Sequence, residues 1–205
     1  MSEGYQFVDE AVTRRKFEKE WAQFEATKEH YRREGVLLLD KEYPNLYFAF
    51  AAPHLSPQAI VFAVRINFTN YDVWPPSVRF VDPLSLKEVL APQLHSFLIR
   101  KLVVDGGAQQ QRLAVWQSDN VPFVCFAGVR EYHNHPRHKD HPWLMHRTGG
   151  EGRLCFLLDN LVRYGTSGVR GYFIQMQVGL EGALHNMNMS LQRIRLHIPE
   201  EHLPL

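Results

Sequence analysis

The spacing of apolar residues changes at Gly35. Before it, Phe17, Trp21, Phe24 and Tyr31 recur at steps of four, three and seven through residues 9–34, a segment rich in helix formers. That spacing lines one face of an α-helix, with Asp9 placed to cap its start and Gly35 to end it. After Gly35 the period falls towards two. Residues 36–39 and 46–51 are short apolar runs, and Ile60, Phe62, Val64, Ile66 and Phe68 form the clearest alternation in the chain. These read as successive strands, and the turn signal Tyr43-Pro44-Asn45 between the first two makes the order an antiparallel meander. In Tyr71-Asp72-Val73-Trp74-Pro75-Pro76 two prolines halt strand pairing because they bring no backbone N–H, and residues 77–81 then resume it. The expectation is an α+β fold: an antiparallel β-meander of about four strands with flanking helices, packed on the helix at 9–34.

The second half is less periodic. Residues 84–97 show no sustained pattern, 99–104 and 113–116 read as short strands, and Asp105-Gly106-Gly107 reads as a turn. Apolar runs at 121–127 and 154–158 bracket a histidine-rich loop. Tyr172, Met176, Leu180, Ala183, Leu184 and Met187 fall at helical steps, which predicts a C-terminal helix weakened by Gly179 and Gly182. No repeat or linker divides the chain, so residues 1–205 are read as a single domain.

Composition narrows the function classes. The 205 residues are 45% hydrophobic, enough for a real core. Lys plus Arg is 23 against 22 for Asp plus Glu, so no charge excess argues for nucleic acid or an anionic membrane as partner. No apolar run approaches the length of about 18 residues that spans a bilayer, and the N-terminus lacks a basic-then-apolar signal segment, so a cytoplasmic protein is expected. Two cysteines, Cys125 and Cys155, make no disulfide framework; each is packing, metal ligand or nucleophile.

Histidine is the unusual residue. Five of the 11 (His133, His135, His138, His141 and His146) lie within residues 133–146. If the backbone there is extended, Glu131, His133 and His135 project from one face, and Cys125 shares their parity. Thiolate, carboxylate and two imidazoles are a donor set for zinc or a similar transition metal, with His138, His141 and His146 as alternates. His138 and His146 lack the parity and are expected to tolerate alanine. The competing reading makes Cys125 a small apolar residue in a core strand and the histidines a solvated loop.

Cys155 follows Gly152-Arg153-Leu154, with His141-Pro142-Trp143 upstream. Taken alone, this is a weak nucleophile signal. The order of helix, strand meander, Pro75-Pro76 turn, strand, His141-Pro142 and Gly152-Arg153-Leu154-Cys155-Phe156-Leu157 resembles the ubiquitin-conjugating (UBC/RWD) fold. In that family an H-P-N triplet precedes a G-x-I-C-L segment bearing the thioester cysteine. The resemblance makes Cys155 the candidate catalytic residue. It also shows two departures: Trp143 stands where the oxyanion-stabilising asparagine would be, and His141 precedes Cys155 by 14 positions. The order Cys125, Glu131, His133, His135 resembles the predicted metal-binding CEHH family of bacterial operons for ubiquitin-like conjugation. That resemblance implies metal-binding roles for these four residues, and as partners a ubiquitin-like protein and its activating or conjugating enzymes.

Three functions compete. One is a metal-binding accessory module, zinc first, of a bacterial ubiquitin-like modification pathway. Another is a conjugating enzyme forming a thioester at Cys155, with donors other than asparagine at the oxyanion. The third is a metal hydrolase with Glu131 or Asp140 as base.

Overall fold

A computed structural model describes residues 5–94, 98–104, 107–116, 119–181 and 188–197. Helix α1 runs over Glu10–Arg33, and the Asp9 side chain accepts from the Ala11 and Val12 N–H groups, satisfying donors that the first turn leaves open. Its inner face buries Thr13, Phe17, Glu20, Phe24 and Tyr31. Gly35 ends it at φ +85, where a Cβ would lie 2.3 Å from the Ala51 carbonyl oxygen, so only glycine fits.

The expected meander is present. Strands β1 (Val36–Glu42), β2 (Asn45–Ala52), β3 (Ala59–Asn67) and β4 (Ser77–Val81) pair antiparallel in sequence order. Register sets Leu46 opposite Ile66, Phe48 opposite Val64 and Phe50 opposite Phe62, all buried. Phe24 and Phe17 of α1 reach this layer edge-on, at 5.2 Å from Phe48 and 5.5 Å from Phe68 between ring centres. Pro75 and Pro76 sit in the loop before β4, as expected.

The sheet extends beyond the four strands. β7 (Ala114–Val115) and β8 (Phe123–Val124) add to its far edge, giving the order β1-β2-β3-β4-β8-β7, while β5 (Ile99–Val104) and β6 (Gly107–Arg112) form a separate antiparallel hairpin. Short helices α2 (Arg130–Asn134) and α3 (Trp143–Arg147) occupy the histidine-rich segment. The apolar run at 154–158 opens helix α4 (Leu154–Gly165), which buries Leu154, Leu157, Leu158 and Leu161 beside α1. The fold is α+β, with flanking helices on an antiparallel sheet.

The expected C-terminal helix is not formed. Phe173–Glu181 and Asn188–His197 are strands β9 and β10, paired antiparallel, and part of the expected helix, residues 182–187, lies outside the described residues. Ile174, Met176, Val178 and Leu180 alternate along β9, and register places them opposite Leu196, Ile194, Leu191 and Met189. The two-residue period overrode the helical one at a site where two glycines already penalised a helix. No helix among the described residues is long and apolar enough to cross a membrane.

One buried carboxylate joins the two long helices. Glu20 of α1 accepts from the Leu154 N–H at 2.9 Å and the Tyr71 hydroxyl at 3.1 Å. Arg153, at the cap position of α4, makes no capping bond through its own side chain, so Glu20 supplies that acceptor from another element. Replacing Glu20 with leucine leaves two buried donors unmatched and should lower unfolding free energy by roughly 2–4 kcal/mol in a urea titration. Glu25→Ala, on the exposed face of α1, should leave the midpoint nearly unchanged.

Candidate metal centre and the Cys155 helix

The histidine-rich segment is shaped by what precedes it. After β8, the Cys125 N–H donates to the Leu113 carbonyl at 2.6 Å, and the chain turns at Gly128 with φ +91. The Gly128 and Gly152 backbones approach so closely that a Cβ on Gly128 would lie 2.4 Å from the Gly152 nitrogen. Helix α2 starts at once. Its Arg130 is buried, donating to the carbonyls of Pro75 and Thr69, and its backbone N–H donates to Pro76.

Because 130–134 is helical rather than extended, the expected shared face of Glu131, His133 and His135 does not form. In a helix, residues two apart point about 200° from each other. Glu131 turns into the core, where it accepts from the Ser77 hydroxyl and the Val78 N–H and lies 3.4 Å from the Arg79 guanidinium. It is a structural anchor for β4. His133 lies against Tyr132 and Trp143 and is spent on backbone: Nδ1 donates to the His141 carbonyl at 2.7 Å and Nε2 accepts from the Gly128 N–H at 3.3 Å. It closes the loop onto the turn that launched it.

The other predicted ligands gather around Tyr132. Cys125 Sγ lies 3.5 Å from His138 Nε2, and the His138 ring stacks on Tyr132 at 3.9 Å. His141 Nδ1 pairs with the Tyr132 hydroxyl at 2.8 Å, and the His135 and His141 rings lie 5.6 and 6.2 Å from that of His138. His135 Nδ1 accepts from the Arg137 N–H. His146 pairs with Glu151. Among the described residues no three His, Cys, Asp or Glu side chains already converge on one point that could hold a metal. His138, which parity had placed among the dispensable residues, is the one nearest Cys125. Tyr132, around which the group is organised, carried no signal in the sequence.

Burial governs the titration of this region. It lowers the pKa of His133, with the neighbouring His146 adding to the effect against the His141 carbonyl, and lowers that of His138, aided by His135 and His141. It pushes the Cys125 thiol up, against the pull of Arg100 and Arg137.

Cys155 sits in the first turn of α4, partly buried against the core. Tyr31 of α1 donates to its carbonyl and to Asp159, at 3.2 and 2.8 Å. Burial raises the Cys155 thiol pKa, and Asp159 and Glu20 push the same way against hydrogen bonds from Tyr31 and Thr27. Trp143, in the position that the conjugating-enzyme resemblance gives to asparagine, is buried. Its indole N–H is used on the Asp72 carbonyl at 2.9 Å, and its ring packs over Gly152, where a Cβ would approach to 2.8 Å.

Comparison with known proteins gives a family. The model of the Y4jH-like family matches residues 8–169. The uncharacterized protein y4jH of Sinorhizobium fredii (strain NBRC 101917 / NGR234) is 39% identical over 193 residues, covering 87% of this chain and 94% of the relative. The chain belongs to the Y4jH family. The matched region runs from before α1 to just past α4, so both cysteines and all five clustered histidines of this Y4jH chain lie inside it, and β9 and β10 lie outside.

The lowered pKa values of His133 and His138 have a consequence for stability. Their folded values lie below the unfolded value near 6.5, so the unfolded state binds protons first as pH falls. Stability should therefore hold above about pH 6.5 and decline below it. Melting curves of metal-free protein at pH 7.5 and 5.5 should show the decline. His133→Ala should be destabilised by about 1–3 kcal/mol at pH 7.5, through loss of the Gly128 to His141 closure, and should show a shallower acid response.

Proposed function

We propose that this protein is a ubiquitin-conjugating-like binding module that serves a ubiquitin-like modification pathway, carries a transition metal, zinc first, and does not itself transfer a thioester. The scaffold part of the reading rests on element order. A long N-terminal helix, a four-strand antiparallel meander and a Pro-Pro turn before the fourth strand, in that order, support the reading.

The observation that carries the non-transferring part is the setting of Cys155. A thioester acceptor needs an accessible thiolate and a donor aimed at the developing oxyanion. Here the thiol is partly buried with its pKa raised, and the side chain in the triplet's third position is a buried tryptophan whose only donor is already engaged. The partners expected are a ubiquitin-like protein and its activating or conjugating enzymes, engaged by binding.

For the metal, the donor set is narrower than parity implied. Glu131 and His133 are committed elsewhere, whereas Cys125 and His138 fit. Zinc bonds of about 2.3 Å to sulfur and about 2.0 Å to nitrogen at a tetrahedral angle put the two ligand atoms roughly 3.5 Å apart, and the Sγ to Nε2 distance is 3.5 Å. His141 is the candidate third ligand on chemistry: with Nδ1–H donating to the Tyr132 hydroxyl, its Nε2 lone pair is available, and such a contact is the kind that orients a metal-bound imidazole. His135 is less suited, because accepting at Nδ1 leaves the proton of the neutral ring on Nε2. Bound there, zinc would crosslink the 125–141 segment.

Two measurements test this reading. Incubated with a cognate ubiquitin-like protein, its activating enzyme and ATP, the protein should form no reducible adduct; an adduct lost in Cys155→Ala would overturn the non-transferring assignment. Purified protein should hold one zinc per chain. Cys125→Ala and His138→Ala should lose it, while Glu131→Gln and His133→Ala, measured on their folded fraction, should retain it. Metal that follows Glu131 or His133 instead would restore the first donor set.

A further inference from the structure

A second site lies on the other side of Trp143, independent of the Cys125 group and of the pathway reading. A cleft of about 190 Å³ opens between α1, the Tyr71-Asp72 turn and α3, and four cationic side chains line it: Lys16, Lys19, Arg147 and Arg153. Three carboxylates share the cleft, and each is engaged. Glu20 accepts from Tyr71 and the Leu154 N–H, Glu151 pairs with His146, and Asp72 holds both Lys16 and Arg147, the latter through Nε at 3.1 Å and Nη2 at 3.2 Å.

Two cations are left over. Neither the Lys19 ammonium nor the Arg153 guanidinium has an ion-pair or hydrogen-bond partner among the described residues, and both side chains are exposed on the cleft wall. The charges lining the cleft sum to +1 with His146 neutral: Asp72 faces two cations, while Glu20 is held by the uncharged Tyr71 and Leu154 donors and Glu151 by His146, so no carboxylate of the cleft is paired with Lys19 or Arg153. The rim is crosslinked at Asp72, whose carboxylate holds Arg147 and whose carbonyl accepts from the Trp143 indole. A planar guanidinium with unoccupied donors that shares a cleft with an unpaired ammonium favours an oxyanion it can grip through two oxygens.

We infer that this cleft binds a small oxyanion, a carboxylate or phosphate group, between Arg153 and Lys19. The acidic floor formed by Glu20 keeps the anion at the mouth, so the ligand is the charged end of a larger molecule or a free ion of that size. Arg153 is adjacent to Leu154, whose N–H Glu20 caps, so occupancy reaches the start of α4 through the backbone rather than through the Cys155 thiol.

The test is isothermal titration of the full chain at fixed ionic strength, made up with chloride so that simple screening is constant. Three probes separate the sources of the oxyanion: inorganic phosphate, the dipeptide Gly-Gly, and Gly-Gly amide. Wild type should bind phosphate, Gly-Gly or both in the millimolar range and should not bind the amide. Arg153→Gln and Lys19→Gln, both exposed substitutions whose folding circular dichroism melts verify, should each weaken binding about tenfold, and Arg153→Lys should restore part of it. Lys28→Gln, on the exposed face of α1, should bind as wild type does. Phosphate binding alone identifies a phosphate site, and Gly-Gly binding alone identifies a carboxylate site. No binding of either, equal binding of the amide, or unchanged binding in both glutamine variants overturns the proposal.

Discussion

The Glu20 carboxylate is the constraint on which the arrangement of this molecule depends. A charged group taken out of water persists only where donors replace its hydration. Here the donors come from two distant segments, the Tyr71 hydroxyl and the first N–H of α4. The contact orders three things at once. It sets α4 beside α1, it holds the turn whose next residue, Asp72, collects Lys16 and Arg147, and it fixes the backbone from which Cys155 projects. Glu131 repeats the device on the other side of the site, binding β4 to α2 through Ser77 and Val78. Apolar burial supplies the bulk of stability, but these two carboxylates decide which segments meet.

The sheet and the first helix were legible because their periods were unopposed. In β3 every second residue is large and apolar, and in α1 the aromatic stripe falls on one face; the structure buries Glu20 on that same face between Phe17 and Phe24, a role the stripe alone did not disclose. The C-terminal segment carried two periods at once, and the helical one was followed although Gly179 and Gly182 opposed it. Parity in the histidine segment failed for a different reason. It assumed an extended backbone, whereas Arg130 and Glu131 both find buried partners on the Thr69 to Val78 stretch, and that tertiary pull winds residues 130–134 into a helical turn. Nothing local announces such a contact 50 residues away. The same blindness hid the role of Trp143, whose hydrogen-bond partner is Asp72, and the loop that wraps His138 and His141 onto Tyr132 was hidden by the assumption of an extended backbone.

The structure divides the seven candidate ligands by what their polar atoms already do. Glu131 and His133 serve the fold, and His146 is held by Glu151. Cys125 and His138 meet at Sγ and Nε2, His141 reaches the Tyr132 hydroxyl through Nδ1, and His135 lies at the edge. The two cysteines divide in the same way. Cys125 faces an imidazole, and Cys155 faces the α1 packing interface, with its carbonyl held by Tyr31. A resemblance in residue order thus maps onto unequal roles, because order does not record which donors the core has consumed.

Cobalt substitution distinguishes these roles most directly. Cobalt(II) replaces zinc at tetrahedral sites, and a thiolate ligand adds a charge-transfer band in the near ultraviolet that imidazole and carboxylate ligands do not. The account predicts this band in the wild-type cobalt protein, its retention in Cys155→Ser and Glu131→Gln, and its loss in Cys125→Ser. A band that survives in Cys125→Ser and disappears in Cys155→Ser, or no thiolate band in any of them, would contradict it.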